Sequence, residues 1–299
     1  TGCTVILSET GMCAGLDVRG GGPASRESEL LKPLAAAQSI HAVLLGGGSA
    51  FGLDAAGGVM QFLEEKRIGF DVGVTKVPLV CQSDIFDLTV ADAHVRPDKE
   101  MGYEACKGAY ADNYQDGSFG VGTGATVGKF RGMDYCMKSG IGSYAVQIGE
   151  LKVGAIVAVN ALGDIYDHHS GRIIAGMLNE EHSAFADTAK LLYSSYEVHD
   201  NKFVGNTTIG AIITNARFDK SQLCKIAGMA HNGYARSIRP VHTSADGDSI
   251  YALSVGNIAA DCDMVGTLAA DVMSEAILAA VKNAESAYGY PAYNDLNFI

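Results

Sequence analysis

The sequence predicts a layered α/β fold with helices on the outside. Two patterns predict it. Short apolar runs punctuated by glycine recur through the first two-thirds of the chain, each of strand length. Mixed among them and following them are segments with apolar residues at helical spacing. No internal repeat or low-complexity linker interrupts the pattern. With 299 residues, 47% hydrophobic and 19% charged, the chain can bury a sizeable core in one compact domain.

The elements follow in order. Residues 4–7, 42–45 and 77–81 read as strands. Residues 51–66 carry a helical pattern after a glycine loop, and residues 99–110 do likewise. Residues 141–147 and 153–160 read as a hairpin joined by Gly149-Glu150-Leu151-Lys152. A short helix is expected over 185–192, and the polar stretch 194–206 reads as an exposed loop. Then come a strand at 207–214, a helix at 219–234 capped by Asp219, a strand at 250–255 and an alanine-rich helix at 263–282. The tail Ala287-Tyr288-Gly289-Tyr290-Pro291 has no regular period.

Bulk properties narrow the function. A formal net charge of −12 argues against a nucleic-acid or anionic-membrane partner, since Lys and Arg supply that attraction. The seven cysteines, at 3, 13, 81, 106, 136, 224 and 262, include no C-x-x-C pair and lie mostly in apolar runs. They read as buried free thiols in a reducing cytoplasm. No stretch approaches about 18 uncharged apolar residues, so no membrane span is expected. The opening Thr-Gly-Cys-Thr-Val-Ile-Leu lacks the basic start of a signal peptide.

Gly205-Asn206-Thr207-Thr208-Ile209-Gly210-Ala211-Ile212-Ile213-Thr214 runs from a polar loop straight into a β-branched strand. A cut between Asn206 and Thr207 would expose a threonine carrying both a hydroxyl nucleophile and an α-amine. The unperturbed pKa of that amine, about 7.7–8.0, suits a general base near neutrality. The plain alternative is a loop entering a core strand.

Other constellations are weaker alone. Gly46-Gly47-Gly48-Ser49-Ala50-Phe51-Gly52 follows a strand and opens a helix, the setting of a phosphate loop, yet its spacing is G-x-G-x-x-x-G without G-K-[ST]. Ser49 fails as a nucleophile elbow because Phe51 stands where glycine is needed. His168-His169, near Asp164 and Asp167, reads as a solvated turn, because neighbouring residues on a strand point apart. His242 could be a base or a structural histidine. Asp246-Gly247-Asp248 precedes the 250–255 strand, which should lie beside the strand beginning at Thr207. Two carboxylates there could hold a protonated Thr207 amine, although Asp-Gly-Asp is also ordinary turn chemistry. Asn160 ends a strand and offers an amide to an oxyanion.

Together these pieces resemble the DmpA-type self-cleaving aminopeptidases, a family that includes L-aminopeptidase/D-amidase-esterases, β-peptidyl aminopeptidases and nylon-oligomer hydrolases. The resemblance runs through Asp17-Val18-Arg19-Gly20-Gly21-Gly22-Pro23, residues 45–52, Ile85-Phe86-Asp87-Leu88, Val159-Asn160, Gly205-Asn206-Thr207-Thr208 and residues 240–248. Gly-Asn-Thr-Thr followed downstream by Pro-Val-His-Thr and Asp-Gly-Asp is specific as a set.

The resemblance implies a four-layer αββα sandwich, like that of N-terminal nucleophile hydrolases with different connectivity. It implies self-cleavage into residues 1–206 and 207–299, which stay associated. By resemblance Thr207 is the nucleophile, Asn206 the residue whose carbonyl is attacked, and Asn160 the oxyanion-stabilising amide. Asp246 and Asp248 match the acidic or hydroxyl pair beside the nucleophile, and Lys129 matches a lysine of the nylon-hydrolase branch. Also implied are a small amide or peptide substrate, no cofactor or metal, and a homotetramer of cleaved pairs. Two departures stand out: Phe86 replaces the tyrosine of some relatives, and Thr207 the serine of others. The alternative class is a non-catalytic small-molecule or nucleotide-binding protein built on Gly46 to Gly52.

Overall fold

The strand Cys3–Val18 organises the molecule. The computed structural model describes residues 1–194 and 205–298. In chain order the main elements are β1 (Cys3–Val18), β2 (Ala24–Arg26), β3 (Ile40–Gly46), α1 (Ala55–Glu65), β4 (Val80–Asp84), α2 (Lys99–Tyr110), β5 (Ile141–Ile148), β6 (Leu151–Asn160), α3 (Thr188–Ser194), β7 (Thr207–Ala216), α4 (Lys220–Ser237), β8 (Ser249–Ile258) and α5 (Cys262–Lys282). The ladder order is β2-β4-β3-β1-β8-β7-β6-β5.

The first half of β1 pairs antiparallel with β3, from Cys3↔Gly46 to Leu7↔Ala42. Its second half pairs antiparallel with β8, from Cys13↔Ser254 to Val18↔Ser249. Between the halves the register breaks, and Gly11 there takes a φ of +80°. The ladder therefore doubles back as two stacked sheets sharing one long strand.

Three hydrophobic clusters fill the layers. Between the sheets, Met12, Val43, Leu45 and Cys81 meet Ile156, Ala158, Ile209, Ala211 and Leu253. On the outer face of the first sheet, Ala42, Leu44 and Val80 meet Val59, Phe62 and Leu63 of α1. On the outer face of the second, Val153, Val157, Ile212 and Ala252 meet Ile226 and Tyr234 of α4 and Ala269 and Met273 of α5. Successive strand residues thus face two different cores. That is why the strands read as continuous apolar runs rather than as an alternation. The result is the αββα arrangement expected from the resemblance.

Local chemistry sets the boundaries. Asp219 caps α4 in a capping box: its carboxylate accepts from Gln222 N, and its own N–H donates to Gln222 Oε1. Asp261 caps α5 through Met264 N, so that helix begins one residue earlier than the periodicity suggests. The hairpin turn is shorter than expected, just Gly149-Glu150, with Gly149 at φ +58°.

Other expectations shift. The strand anticipated at 77–81 is β4, Val80–Asp84; Lys76–Val77 pairs separately with Phe70–Asp71, and Pro78 offers no N–H to the ladder. Buried Gln82, Ser83 and Asp84 hid its end from an apolar pattern. The helix expected from residue 51 starts as a 3-10 turn, Ser49–Asp54, before α1. The helix at 185–192 is α3, Thr188–Ser194. Most of the loop read at 194–206 lies outside the described residues.

α5 is long and apolar enough to cross a bilayer, but it is a core helix, with 67% of its most apolar window buried. The cysteines are unpaired thiols, as the sequence suggested, with Cys3, Cys81, Cys106 and Cys136 buried.

α5 sits against β5 with almost no clearance. A Cβ on Gly142 would stand 2.2 Å from both Ala276 O and Ala280 N. We therefore expect Gly142→Ala to destabilise the fold by roughly 1–3 kcal/mol, the usual cost of overpacking. Gly154→Ala, whose Cβ would meet the Ala145 methyl at 3.2 Å, should cost less. Urea-unfolding midpoints of the two variants check the order.

Candidate active site

β7 begins at Thr207, and its two neighbours bring their own chain ends to the same edge. β6 is antiparallel, so its last residue, Asn160, lies opposite Thr207. β8 is parallel, with Ile209 opposite Ser249, so the segment before β8 runs beside the segment before β7. A further bridge, Asn206↔Asp246, extends that pairing beyond the strands. Asn160, Thr207, Asp246 and Asp248 are all buried at this edge.

The Asn206 carbonyl is the centre of the arrangement. It accepts Gly247 N–H at 2.9 Å and the Thr207 hydroxyl at 2.5 Å. The residue after the nucleophile is fixed too, its Thr208 N–H donating to Asp248 Oδ1 at 2.7 Å. Asp248 Oδ2 accepts from His242 N (3.1 Å) and His242 Nδ1 (2.9 Å). Asp246 Oδ2 accepts from Thr243 N and Thr243 Oγ1. Burial, and next the charge of Asp248, raise the Asp246 carboxyl to about 6.

Lys129 reaches the same edge from beneath. Its Nζ donates to Asn160 O (3.0 Å), Asn160 Oδ1 (2.9 Å) and Gly205 O (3.3 Å). Three acceptors match the three protons of an ammonium, while burial opposes the charge and lowers the amine to about 7. Asn160 is held on both sides of its amide: Oδ1 also accepts Thr126 N–H at 3.1 Å, and Nδ2 donates to Phe86 O at 2.9 Å. The six residues that the resemblance assigned to the site, Lys129, Asn160, Asn206, Thr207, Asp246 and Asp248, therefore gather here.

The sequence reading did not assign several contributors. Gly247 supplies the N–H on the Asn206 carbonyl, and its missing Cβ would sit 2.8 Å from Thr207 Oγ1. Gly20-Gly21-Gly22 braces the acidic segment from behind: Gly20 N–H donates to Asp248 O, and Gly22 N–H to Asp246 O. A Cβ on Gly20 would lie 2.3 Å from Asp248 N. The Phe86 ring packs against Gly205, where a Cβ would meet it at 2.7 Å, and a phenyl there brings no hydroxyl. His242 and Thr243 supply the donors to the two carboxylates.

Two other sequence candidates fare differently. In the Gly46 to Gly52 loop, a Cβ on Gly46 would lie 2.3 Å from Asp84 Oδ1, and Gly48 N–H donates to Asp87 Oδ1 at 2.7 Å. The Gly48 N–H is already committed to Asp87, and the Asp84 carboxyl fills the space beside Gly46, so the loop has no open cradle for a phosphate and the nucleotide reading loses its site. His168 and His169 do lie in a turn, but they do not point apart. Both Nε2 atoms approach Glu275 Oε1 of α5, at 3.3 and 2.7 Å. Ligand atoms of Asp167, His168 and His169 lie within 4.8 Å of one another, close enough to share a metal ion. This group involves none of the residues around Thr207.

Comparison with known proteins gives the family and the fold. The family model for peptidase family S58 matches residues 1–293. An uncharacterized aminopeptidase of Mycobacterium leprae (strain TN) is 38% identical, over 98% of this chain and 85% of that protein. A 6-aminohexanoate-oligomer endohydrolase of Kocuria sp. (strain KY2) is 29% identical, over 94% of this chain and 81% of that protein. Among solved structures, the L-aminopeptidase D-Ala-esterase/amidase from Ochrobactrum anthropi, a variant among the Ntn hydrolase folds, aligns with a TM-score of 0.68 at 18% identity, over 94% of this chain and 77% of that one. A Burkholderia sp. beta-aminopeptidase aligns at 0.65, also at 18% identity, over 97% and 81%. The structural likeness carries the fold, and the sequence matches carry the rest: this chain is a hydrolase belonging to peptidase family S58.

Proposed function

We propose that the chain is a self-processing N-terminal-threonine amidohydrolase. It cuts itself between Asn206 and Thr207, and then cleaves small amino acid amides, esters or short peptides through an acyl-enzyme on Thr207. One observation carries this reading. The Thr207 hydroxyl and the Gly247 N–H converge on the carbonyl that precedes Thr207, the bond that must break.

In maturation, Thr207 Oγ1 attacks the Asn206 carbonyl carbon, and Gly247 N–H donates to the oxyanion that develops. The C–N bond breaks, the threonine nitrogen takes the proton, and Asn206 is left as an ester on Oγ1. Water then hydrolyses that ester, leaving residues 1–206 and 207–299 as partners within one hydrolase domain. In turnover, the freed α-amine accepts the hydroxyl proton, Oγ1 attacks the substrate carbonyl, the leaving amine departs protonated, and water then hydrolyses the acyl ester to restore the free hydroxyl. Asn160 Nδ2, with one of its two hydrogens on Phe86 O, keeps the other for the substrate oxyanion. Asp246 and Asp248 stabilise the ammonium form of Thr207, and Lys129 holds the Gly205 and Asn160 carbonyls in place.

The relatives' activities, aminopeptidase and 6-aminohexanoate-oligomer hydrolysis, both break an amide, which is the chemistry assigned here. A homotetramer of cleaved pairs in the cytoplasm, needing neither cofactor nor metal, completes the proposal.

N-terminal sequencing of purified protein should reveal a second chain start at Thr207, and Thr207→Ala should run as one uncut, inactive band on a denaturing gel. A Thr207→Ala variant that still hydrolyses an amino acid amide would refute the assignment. Asn160→Ala should slow turnover by about a hundredfold or more, the usual effect of removing one oxyanion donor, measured as kcat on an amino acid anilide.

The rate should also respond to pH. The α-amine, with an ordinary value of about 7.7–8.0, sets a first decline on acidification. Because Asp246 is raised to about 6, it becomes neutral below that pH and steepens the decline. Asp246→Asn should remove the steeper limb and lower the plateau, as read from a pH–rate profile between pH 5 and 8.

A further inference from the structure

His242 is built into the site, yet no step above uses it. We infer that His242 is a positioning residue: it locks the Asp248 carboxylate, and through it the Thr207–Thr208 peptide, in the geometry that amide cleavage requires. The inference rests on Thr207 being the nucleophile.

Asp248 works as a two-sided clamp. One oxygen takes the Thr208 N–H at 2.7 Å; the other takes two donors from a single residue, His242 N and His242 Nδ1. The orientation of the Thr208 N–H fixes the peptide plane that follows the nucleophile, and so the direction of the Thr207 side chain. A carboxylate free to rotate about its χ2 would lose that hold. With the backbone N–H alone on Oδ2, the clamp would have one donor where it now has two.

The histidine is itself wedged in place. Its ring stacks on Tyr234 (centroids 5.9 Å apart, planes at 29°) and meets the edge of His231 at 4.7 Å. Tyr234 is fully buried, and its hydroxyl donates to the carbonyl of Ser249, the residue after Asp248. His231 is fully buried too, its Nε2 lying 3.2 Å from Asp17 O and 3.3 Å from Asp17 Oδ1. His242 Nε2 is buried with no hydrogen-bond partner among the described residues. The ring therefore has one polar task, donating from Nδ1 to Asp248.

The backbone points the same way. His242 has a φ of +58°, the left-handed region that most residues with a side chain avoid. That conformation brings its own N–H and its Nδ1 onto the same oxygen. A residue serving only as filler needs neither the strained φ nor the nitrogen.

The test uses the full chain and separates donor from backbone. Glycine tolerates the left-handed conformation but offers no side-chain donor, whereas asparagine tolerates it and can donate Nδ2–H to Asp248. We expect His242→Gly to slow self-cleavage and to lower kcat on an amino acid anilide by roughly tenfold or more, the scale of a lost hydrogen bond to a charged group, with KM within about twofold. His242→Asn should recover most of that loss. If His242→Gly matches the parent chain, or if asparagine is as slow as glycine, the inference is overturned.

Thr207→Ala in the same assay keeps the two ideas apart. If it is uncut and inactive while His242→Gly is unaffected, only the role of His242 fails; if it stays active, the nucleophile assignment fails first. A measurement on uncut Thr207→Ala protein guards against a glycine variant that does not fold. Long-range ¹H–¹⁵N spectra should show His242 protonated at Nδ1, and Asp248→Asn should shift that signal. A ring protonated at Nε2 alone would overturn the inference.

Discussion

The parallel pairing of β7 with β8 is the constraint on which the rest depends. Parallel strands begin at the same edge, so the segments leading into them run side by side. The ladder continues past the strands as the Asn206↔Asp246 bridge, and this aims Gly247 N–H at the Asn206 carbonyl. The antiparallel neighbour β6 ends where those two begin, adding Asn160. A shift of one residue in either register would send Thr207 or Asn160 to the opposite face of its sheet. The chemistry at this edge is a consequence of strand direction.

Burial at this edge then sets the electrostatics. Removing water raises the Asp246 carboxyl to about 6 and lowers the Lys129 amine to about 7, which puts both near neutrality. The ionisable groups at this edge have named partners: Thr243 for Asp246, His242 and Thr208 for Asp248, and three carbonyl-type oxygens for Lys129. Glycines make the close approaches possible. Gly20 and Gly247 sit where any side chain would collide with the acidic segment or with the Thr207 hydroxyl.

Much of this was legible in the sequence, and the gaps have physical causes. The helices and the strands around the site could be read because their apolar spacing and caps are local signals, as at Asp219. The proximity of Asp246 and Asp248 to Thr207 followed from expecting β8 beside β7. Four residues at 4–7 gave no sign that β1 runs for sixteen, because its exposed and half-buried positions around the break at Gly11 have no strand periodicity. The end of β4 was missed because Gln82, Ser83 and Asp84 are buried polar residues that only tertiary contacts explain. The shared aim of His168 and His169 depends on Glu275, more than a hundred positions away. The donors Gly247 and His242 carry no signal in one sequence beyond their places in Asp-Gly-Asp and Pro-Val-His-Thr.

The ladder order has one more consequence. β7 and β8, the two strands of this ladder that follow residue 206, lie next to each other in the middle of the series, with β1 along one flank and β6 along the other. Both flanking strands come from the portion of chain before that point. A break at this junction would therefore sever one covalent link and no sheet partnership. The two portions would stay interlocked like dovetailed boards, and only the atoms at the fresh end would gain freedom to move.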